Sequence, residues 1–185
     1  MVDLSTSFDS EASALLLSSN ANEAQREEFS QGSCHILAVA LHRHLDWPIV
    51  IALDYDEPFW QSDTDPDDFI PAVIHAYALD EDGLAWDILG ARHEDSVSKQ
   101  LNDLFDIGQL EIDILHREEA LSMYVGYWGD DDDHLIERPL WDYDDQDIDR
   151  AWQLACDIFG HLPRFEQALQ RKEASAPGLK LTSSP

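Results

Sequence analysis

The clearest apolar periodicity falls on residues 33–45, where Leu37, Ala38, Leu41 and Leu45 recur at helical spacing behind Ser33, a residue suited to an N-cap. Trp47-Pro48 ends that helix, and residues 49–53 then read as a short buried strand. Upstream, residues 14–17 and 21–29 read as helical stretches. Downstream, residues 72–79 and 84–89 are apolar runs on either side of Asp80-Glu81-Asp82-Gly83, which is a hairpin signal. Residues 97–105 and 117–125 have helical spacing, with a strand at 110–115 between them. A last, strongly amphipathic helix puts Ile148, Trp152, Ala155, Cys156, Phe159 and Leu162 on one face.

The segments between these elements, 54–69 and 129–147, are rich in acid and contain proline, so they read as loops. Residues 1–172 are expected to form one domain, and 173–185, small, polar and proline-containing, a disordered tail. The order of elements predicts an α+β fold, with helices packed on a mostly antiparallel sheet.

Composition narrows the class of function. A chain of 185 residues, 44% hydrophobic with six tryptophans, can bury a sizeable core. Thirty-nine acidic residues against eleven basic ones give a net charge of −28. Such a surface repels nucleic-acid backbones and anionic membranes, and direct binding to either is not expected. It favours a basic protein or peptide partner, or serves solubility and salt tolerance. No run of eighteen apolar residues is present, so no membrane span is expected. The first residues lack the basic start of a secretory signal, which predicts a cytoplasmic protein or one exported without a cleaved signal. Cys34 and Cys156 make no disulfide framework and too few ligands for zinc, and no metal or cofactor is implied.

Cys34 is the residue with the most to explain. A thiol in the first turn of a helix feels the positive end of the macrodipole and nearby free amides, which favour thiolate over thiol. The same amides can hold an oxyanion when sulfur attacks a carbonyl, and Gly32 lets a substrate approach the backbone closely. A nucleophilic cysteine needs a base, and the base needs an orienting partner. The hairpin offers both, His75 on its first strand and Asp87 twelve residues later on its second. If an odd number of residues reverses the chain, alternation puts the two on one face as direct or diagonal neighbours. An even number puts them on opposite faces.

Gly32, Cys34 and Ala38, then His75-Ala76-Tyr77, then Gly83 through Trp86-Asp87 and Gly90, resemble the core of the papain-like and transglutaminase-like cysteine enzymes. The late leucine of the helix, Leu45, is one place off that pattern. The resemblance covers Gln31 to Gly90, about a third of the chain. It implies a Cys-bearing helix on the sheet, with Cys34 as nucleophile, His75 as base and then acid, and Asp87 as orienter. Gln31, three residues upstream, takes the part of the glutamine that completes the oxyanion hole, although it stands closer than the pattern has it. Gln31, Gly32 and Ser33 are thus the candidate oxyanion and substrate positions. Peptidases, amidases, glutamine deamidases and acyl transferases share this arrangement, some of them bacterial effectors. The resemblance therefore implies acyl chemistry on a protein or peptide.

Other readings compete. Cys34 and His75 could be ordinary core residues, and the chain a non-catalytic acidic binder that mimics nucleic acid or neutralises a basic partner. His35 lies about 100° further round the helix and is expected at the solvent or the site rim. His42 and His44 are expected at the solvent or sheet edge, and Cys156 in the core. Trp60, Tyr77, Trp86 and Trp128 are read as core, or as walls of an acyl-binding cleft.

Overall fold

The computed structural model describes residues 17–30, 32–105, 107, 110–129, 135–140 and 142–175. A short strand, Leu17–Ser18 (β1), and a helix, Glu23–Ser30 (α1), precede the helix Cys34–Leu45 (α2). Residue 17, expected to be helical, is therefore in a strand, and 14–16 lie outside the described residues. Pro48 leads into Ile49–Asp54 (β2), and the acidic stretch after it folds back as a two-strand arm, Trp60–Gln61 (β3) and Phe69–Ile70 (β4).

The predicted hairpin is present as Ala72–Leu79 (β5) and Leu84–Asp87 (β6), and the chain then turns again into Gly90–His93 (β7). Residues 84–89 are thus one strand plus a tight turn, in which Leu89 N–H donates to the Asp87 carboxylate at 2.9 Å. After Glu94–Phe105 (α3) come Leu110–Leu115 (β8), a 3₁₀ turn over Glu118–Met123, and a ribbon of Tyr127–Gly129 (β9) with Leu135–Glu137 (β10). Asp145–Phe159 (α4) opens with a capping box on Asp144 and is followed by Pro163–Ser175 (α5), which begins on proline at its first helical position. The helix extends past residue 173, where a tail was expected to start, and 176–185 lie outside the described residues.

One sheet organises the molecule, in the order β1-β7-β6-β5-β2-β8, and its pairs are antiparallel. The protein is therefore α+β, with helices on both faces of a mostly antiparallel sheet. On one face α2, α4 and α5 pack over Ile49, Ile51, Ala76, Trp86 and Ile88. On the other, Val97 and Leu101 of α3 cover Val50, Ala52, Tyr77 and Ala85. Covering both faces is why β2 reads as an unbroken apolar run rather than an alternating one. Among the described residues no helix is long and apolar enough to cross a membrane.

Residues 34–41 of α2 are buried all round, without a solvent-facing stripe, and the helix reaches solvent in its last turn at Arg43. The expected outward position of His35 fails for this reason. His35 is 1% exposed.

The edge of the sheet depends on Gly90. Its φ is +129°, and a Cβ there would stand 1.9 Å from the Leu17 carbonyl oxygen across the β1–β7 pair. Gly90→Ala is expected to cost at least about 2 kcal/mol, since backbone strain and a backbone clash act together. Urea unfolding followed by circular dichroism measures it.

Candidate functional site

Three features of the backbone bring chemistry to one end of the sheet. The last β5–β6 pair is Leu79↔Ala85, so five residues, 80–84, reverse the chain. That odd number puts His75 and Asp87 on one face. The ladder stops at Ala78↔Trp86, and His75 and Asp87 lie beyond it, free to meet through their side chains. A bulge in β5 adds to this: Ala52 pairs with His75 but Leu53 with Val73, so Ile74 is the extra residue beside the histidine.

His75 Nε2 and Asp87 Oδ2 are 3.0 Å apart, both side chains nearly closed to solvent. With Nε2 committed to the carboxylate, Nδ1 is the nitrogen left for the thiol of Cys34, which begins α2. Cys34 is 7% exposed. Burial alone raises its pKa, but hydrogen bonding and attraction from His35 and His75 outweigh burial and bring the thiol down to about 6. His75 is the mirror case. Burial lowers its pKa, but the bonds to Asp87 and Cys34 outweigh that and lift it to about 10. Between these two values the pair is thiolate and imidazolium.

Asp87 is held by more than the histidine. Arg92, on β7, donates Nη1 to Oδ1 at 2.8 Å and Nη2 to Oδ2 at 2.6 Å, a buried bidentate pair. Burial works against the Asp87 anion, yet His75 and Arg92 hold its carboxyl well below the usual carboxylate range. Arg92 is not among the residues the sequence points to, because apolar Ile88 and Leu89 continue the pattern of β6 through the turn. A Gly-x-Arg following an apolar two-residue turn is the signal that could have found it, since β7 pairs Arg92 across from Ala85, on the Asp87 face.

Ser33 occupies the N-cap position of α2 but makes no side-chain cap bond, its φ of −105° and ψ of 9° falling outside the extended cap geometry. Ile36 and Leu37 N–H turn to the Ser33 carbonyl. Cys34 and His35 open α2, so their amides have no carbonyl one turn back within the helix and are the donors an oxyanion would meet. Gly32 has φ +107° with nothing within 4 Å of where a Cβ would be, so conformation demands the glycine and the space above it is open. Gln31 lies outside the described residues.

A cavity of about 210 Å³ adjoins the imidazole and carboxylate, with Ser30, Ile74, Leu89 and Leu101 among its walls. Leu104 and Phe105, 66% and 55% exposed, form its rim. A larger hollow of about 460 Å³, walled by Glu118, Asp142 and Tyr143 among others, includes none of Cys34, His75 and Asp87. Trp86 is wholly buried core, with its indole N–H given to Asp80, and Tyr77 is buried and bonded to Glu94, so neither lines the 210 Å³ cavity. His42 bonds the Trp47 carbonyl and His44 stacks on Trp152 at 4.0 Å. Cys156 is half-buried against the core, and burial raises its pKa. Among the described residues, no group of three or more acidic, histidine or cysteine side chains could hold a metal ion.

Comparison with protein-family models, with curated proteins and with solved structures finds no match to this chain. The site is therefore read from its own geometry.

Iodoacetamide alkylation of Cys34 should titrate with a midpoint near pH 6 and hold a plateau above it, while Cys156 reacts only toward alkaline pH. Peptide mapping of the two thiols across pH reads this directly. A second prediction concerns stability. Asp87, with its pKa depressed in the fold, contributes stability that is present above the ordinary value of 3.8 and lost as pH falls below it. Asp87→Asn leaves Arg92 buried and unpaired, and is expected to cost about 3 kcal/mol at pH 7. In urea unfolding, the gap between variant and wild type should narrow as pH falls toward 2.

Proposed function

We propose that this chain is a cysteine enzyme of papain-like or transglutaminase-like architecture that carries out acyl chemistry on a protein or peptide. The observation that carries the reading is a buried thiol at a helix start together with a His75–Asp87 pair 3.0 Å apart, an environment that favours the thiolate. The Cys34 thiolate attacks an amide, ester or thioester carbonyl carbon, and the carbonyl π pair moves to oxygen, where the Cys34 backbone N–H donates to it. Collapse of the tetrahedral intermediate breaks the bond to the leaving group, which takes its proton from His75. A thioester on Sγ remains. Water attacks it, giving its proton to His75, and the acid and thiol are released. Where the substrate is a glutamine side chain the leaving group is ammonia and the outcome is deamidation. Where an amine replaces water the outcome is transfer. Asp87 fixes the imidazole and stabilises its charged form.

The cavity beside His75 pairs an apolar side of Ile74, Leu89, Leu101 and Leu104 with polar groups of Ser30 and Gln100, which suits a substrate side chain that carries both characters. A net charge of −28 favours a basic substrate. The same charge supports the second reading, a non-catalytic acidic binder for a basic partner.

The two readings separate in one experiment. Basic peptides containing glutamine are incubated with the protein and analysed by mass spectrometry for hydrolysis, deamidation or amine incorporation. Turnover is expected to fall at least about a thousandfold in Cys34→Ala and in His75→Ala, and to persist in Cys156→Ser. No turnover in the wild type, with salt-sensitive binding of the peptides that Cys34→Ala retains, would leave the binder as the better description.

A further inference from the structure

The end of the sheet that holds His75 also carries apolar side chains that folding leaves uncovered. His75 pairs with Ala52, two residues before β2 ends at Asp54, and the chain leaves the sheet there for the β3–β4 arm and returns at Ala72. Tyr55, 39% exposed, and Phe59, 52% exposed, open that arm. The Tyr55 ring meets Phe69 edge-on at 5.7 Å. Phe69 and Ile70 share a hollow of about 240 Å³ with Arg138 and with Met123, itself 67% exposed. At the same end, Leu104 and Phe105 finish α3 on the rim of the cavity beside the imidazole. Uncovered carbon gathered in this way marks a surface that meets another chain.

The charge beside these side chains says which kind of chain. Asp56, Glu57, Asp63, Asp65, Asp67 and Asp68 of the arm are exposed, and residues 54–69 contain no lysine or arginine. Arg43, Arg150, Arg164, Arg171 and Lys172 bind carboxylates outside the arm. Arg138 touches it at Phe69 and Ile70, one guanidinium against six carboxylates. A second copy of this chain would bring the same acidic arm and a further charge of −28, so like would meet like. We propose that the β3–β4 arm and the end of α3 form a docking surface for an extended polypeptide segment in which lysine or arginine alternates with bulky apolar residues. The exposed apolar groups lie on two separate elements, so a segment rather than a single side chain reaches both. Its apolar side chains cover Tyr55, Phe59, Leu104 and Phe105, and its cations lie against the arm carboxylates. Charge steers the segment in, and the apolar contacts hold it. For what then happens to the bound segment, the inference rests on the proposed reading of Cys34, His75 and Asp87.

Binding of a fluorescein-labelled peptide of alternating lysine and leucine is followed by anisotropy on the full chain carrying Cys34→Ala, so that binding is read without turnover. One variant removes exposed carbon, Phe59→Ser with Leu104→Ser, and a second removes charge from the arm, Asp63→Asn with Asp67→Asn and Asp68→Asn. A control removes as much charge from α4 and α5, Asp149→Asn with Asp157→Asn and Glu166→Gln; all of these side chains are exposed. The first two variants are each expected to bind about tenfold more weakly, the arm variant with a shallower salt dependence, and the control to stay within about twofold of the parent. A peptide with serine for leucine should lose as much as the carbon-removing variant does. Equal weakening in the arm variant and the control, or a parent that does not bind, overturns the proposal. So does a dimer in sedimentation that Phe59→Ser with Leu104→Ser dissolves, since the surface then belongs to a second copy. Alkylation of Cys34 in chains that keep the thiol separates this proposal from the reading beneath it. A midpoint near pH 6 with unaltered peptide binding in the variants overturns the docking surface alone. The expected binding beside the midpoint of an ordinary thiol overturns the acyl chemistry and supports the surface. Should a variant fail to fold, a peptide with benzophenone in place of one leucine is crosslinked to the parent. Adducts within residues 55–70 or 101–105 support the proposal, and adducts confined elsewhere overturn it.

Discussion

A carboxylate buried at the end of β6 is tolerable because Arg92 grips both of its oxygens. Asp87 is 4% exposed and accepts four hydrogen bonds, two from Arg92, one from Leu89 N–H and one from His75. Without the guanidinium, desolvation of that anion would pull the chain apart locally or protonate the group, and the imidazole would lose its anchor. The other end of the hairpin is built alike. Asp80, at the reversal, accepts from Leu84 N–H, from the Trp86 indole and from Arg164 on α5. An arginine-bound carboxylate thus stands at each end of this stretch, Asp80 in the turn before β6 and Asp87 at its end, and the register between them is what sets His75 and Asp87 on one face.

Much of this was legible in the chain. Helix α2 and strands β2 and β5 follow from apolar spacing and from Pro48, because each buries an apolar surface, and the half-buried edge strand β8 follows from its alternation of apolar and acidic residues. The hairpin parity was legible as a condition, and the five residues 80–84 meet it. What escaped has physical reasons. Strand β7 spans four residues and begins after a two-residue turn whose Ile88 and Leu89 are apolar, so composition does not mark the break. Its loss hid Arg92. His35 escaped because apolar spacing predicts an amphipathic helix, whereas tertiary packing encloses residues 34–41 of α2 on every side. Strand β1 is two residues long and exists through pairing with β7, which local sequence does not announce. Helix α5 was folded into α4 because Leu162 continues the apolar face across the Gly160–Leu162 break.

The charge distribution has its own logic. Arg43, Arg150, Arg164, Arg171 and Lys172 each bind a carboxylate that lies far off in sequence. The few cations serve as fasteners between elements, and the acidic excess is left to the surface, including the β3–β4 arm and the loop before α4. An acidic exterior therefore coexists with a core that is locally neutral.

That neutrality is a matter of four opposing charges around Cys34, and covalent chemistry upsets it. Thiolate, imidazolium, Asp87 and Arg92 sum to zero. In the acyl chemistry proposed above, sulfur that carries an acyl group has lost its negative charge and no longer supports a proton on His75. His75, which in that scheme has given its proton to the leaving group, would then stay neutral, a base at the stage where a water molecule has to be activated. Formation of a thioester would thus reset the acid–base character of the residue proposed to break it.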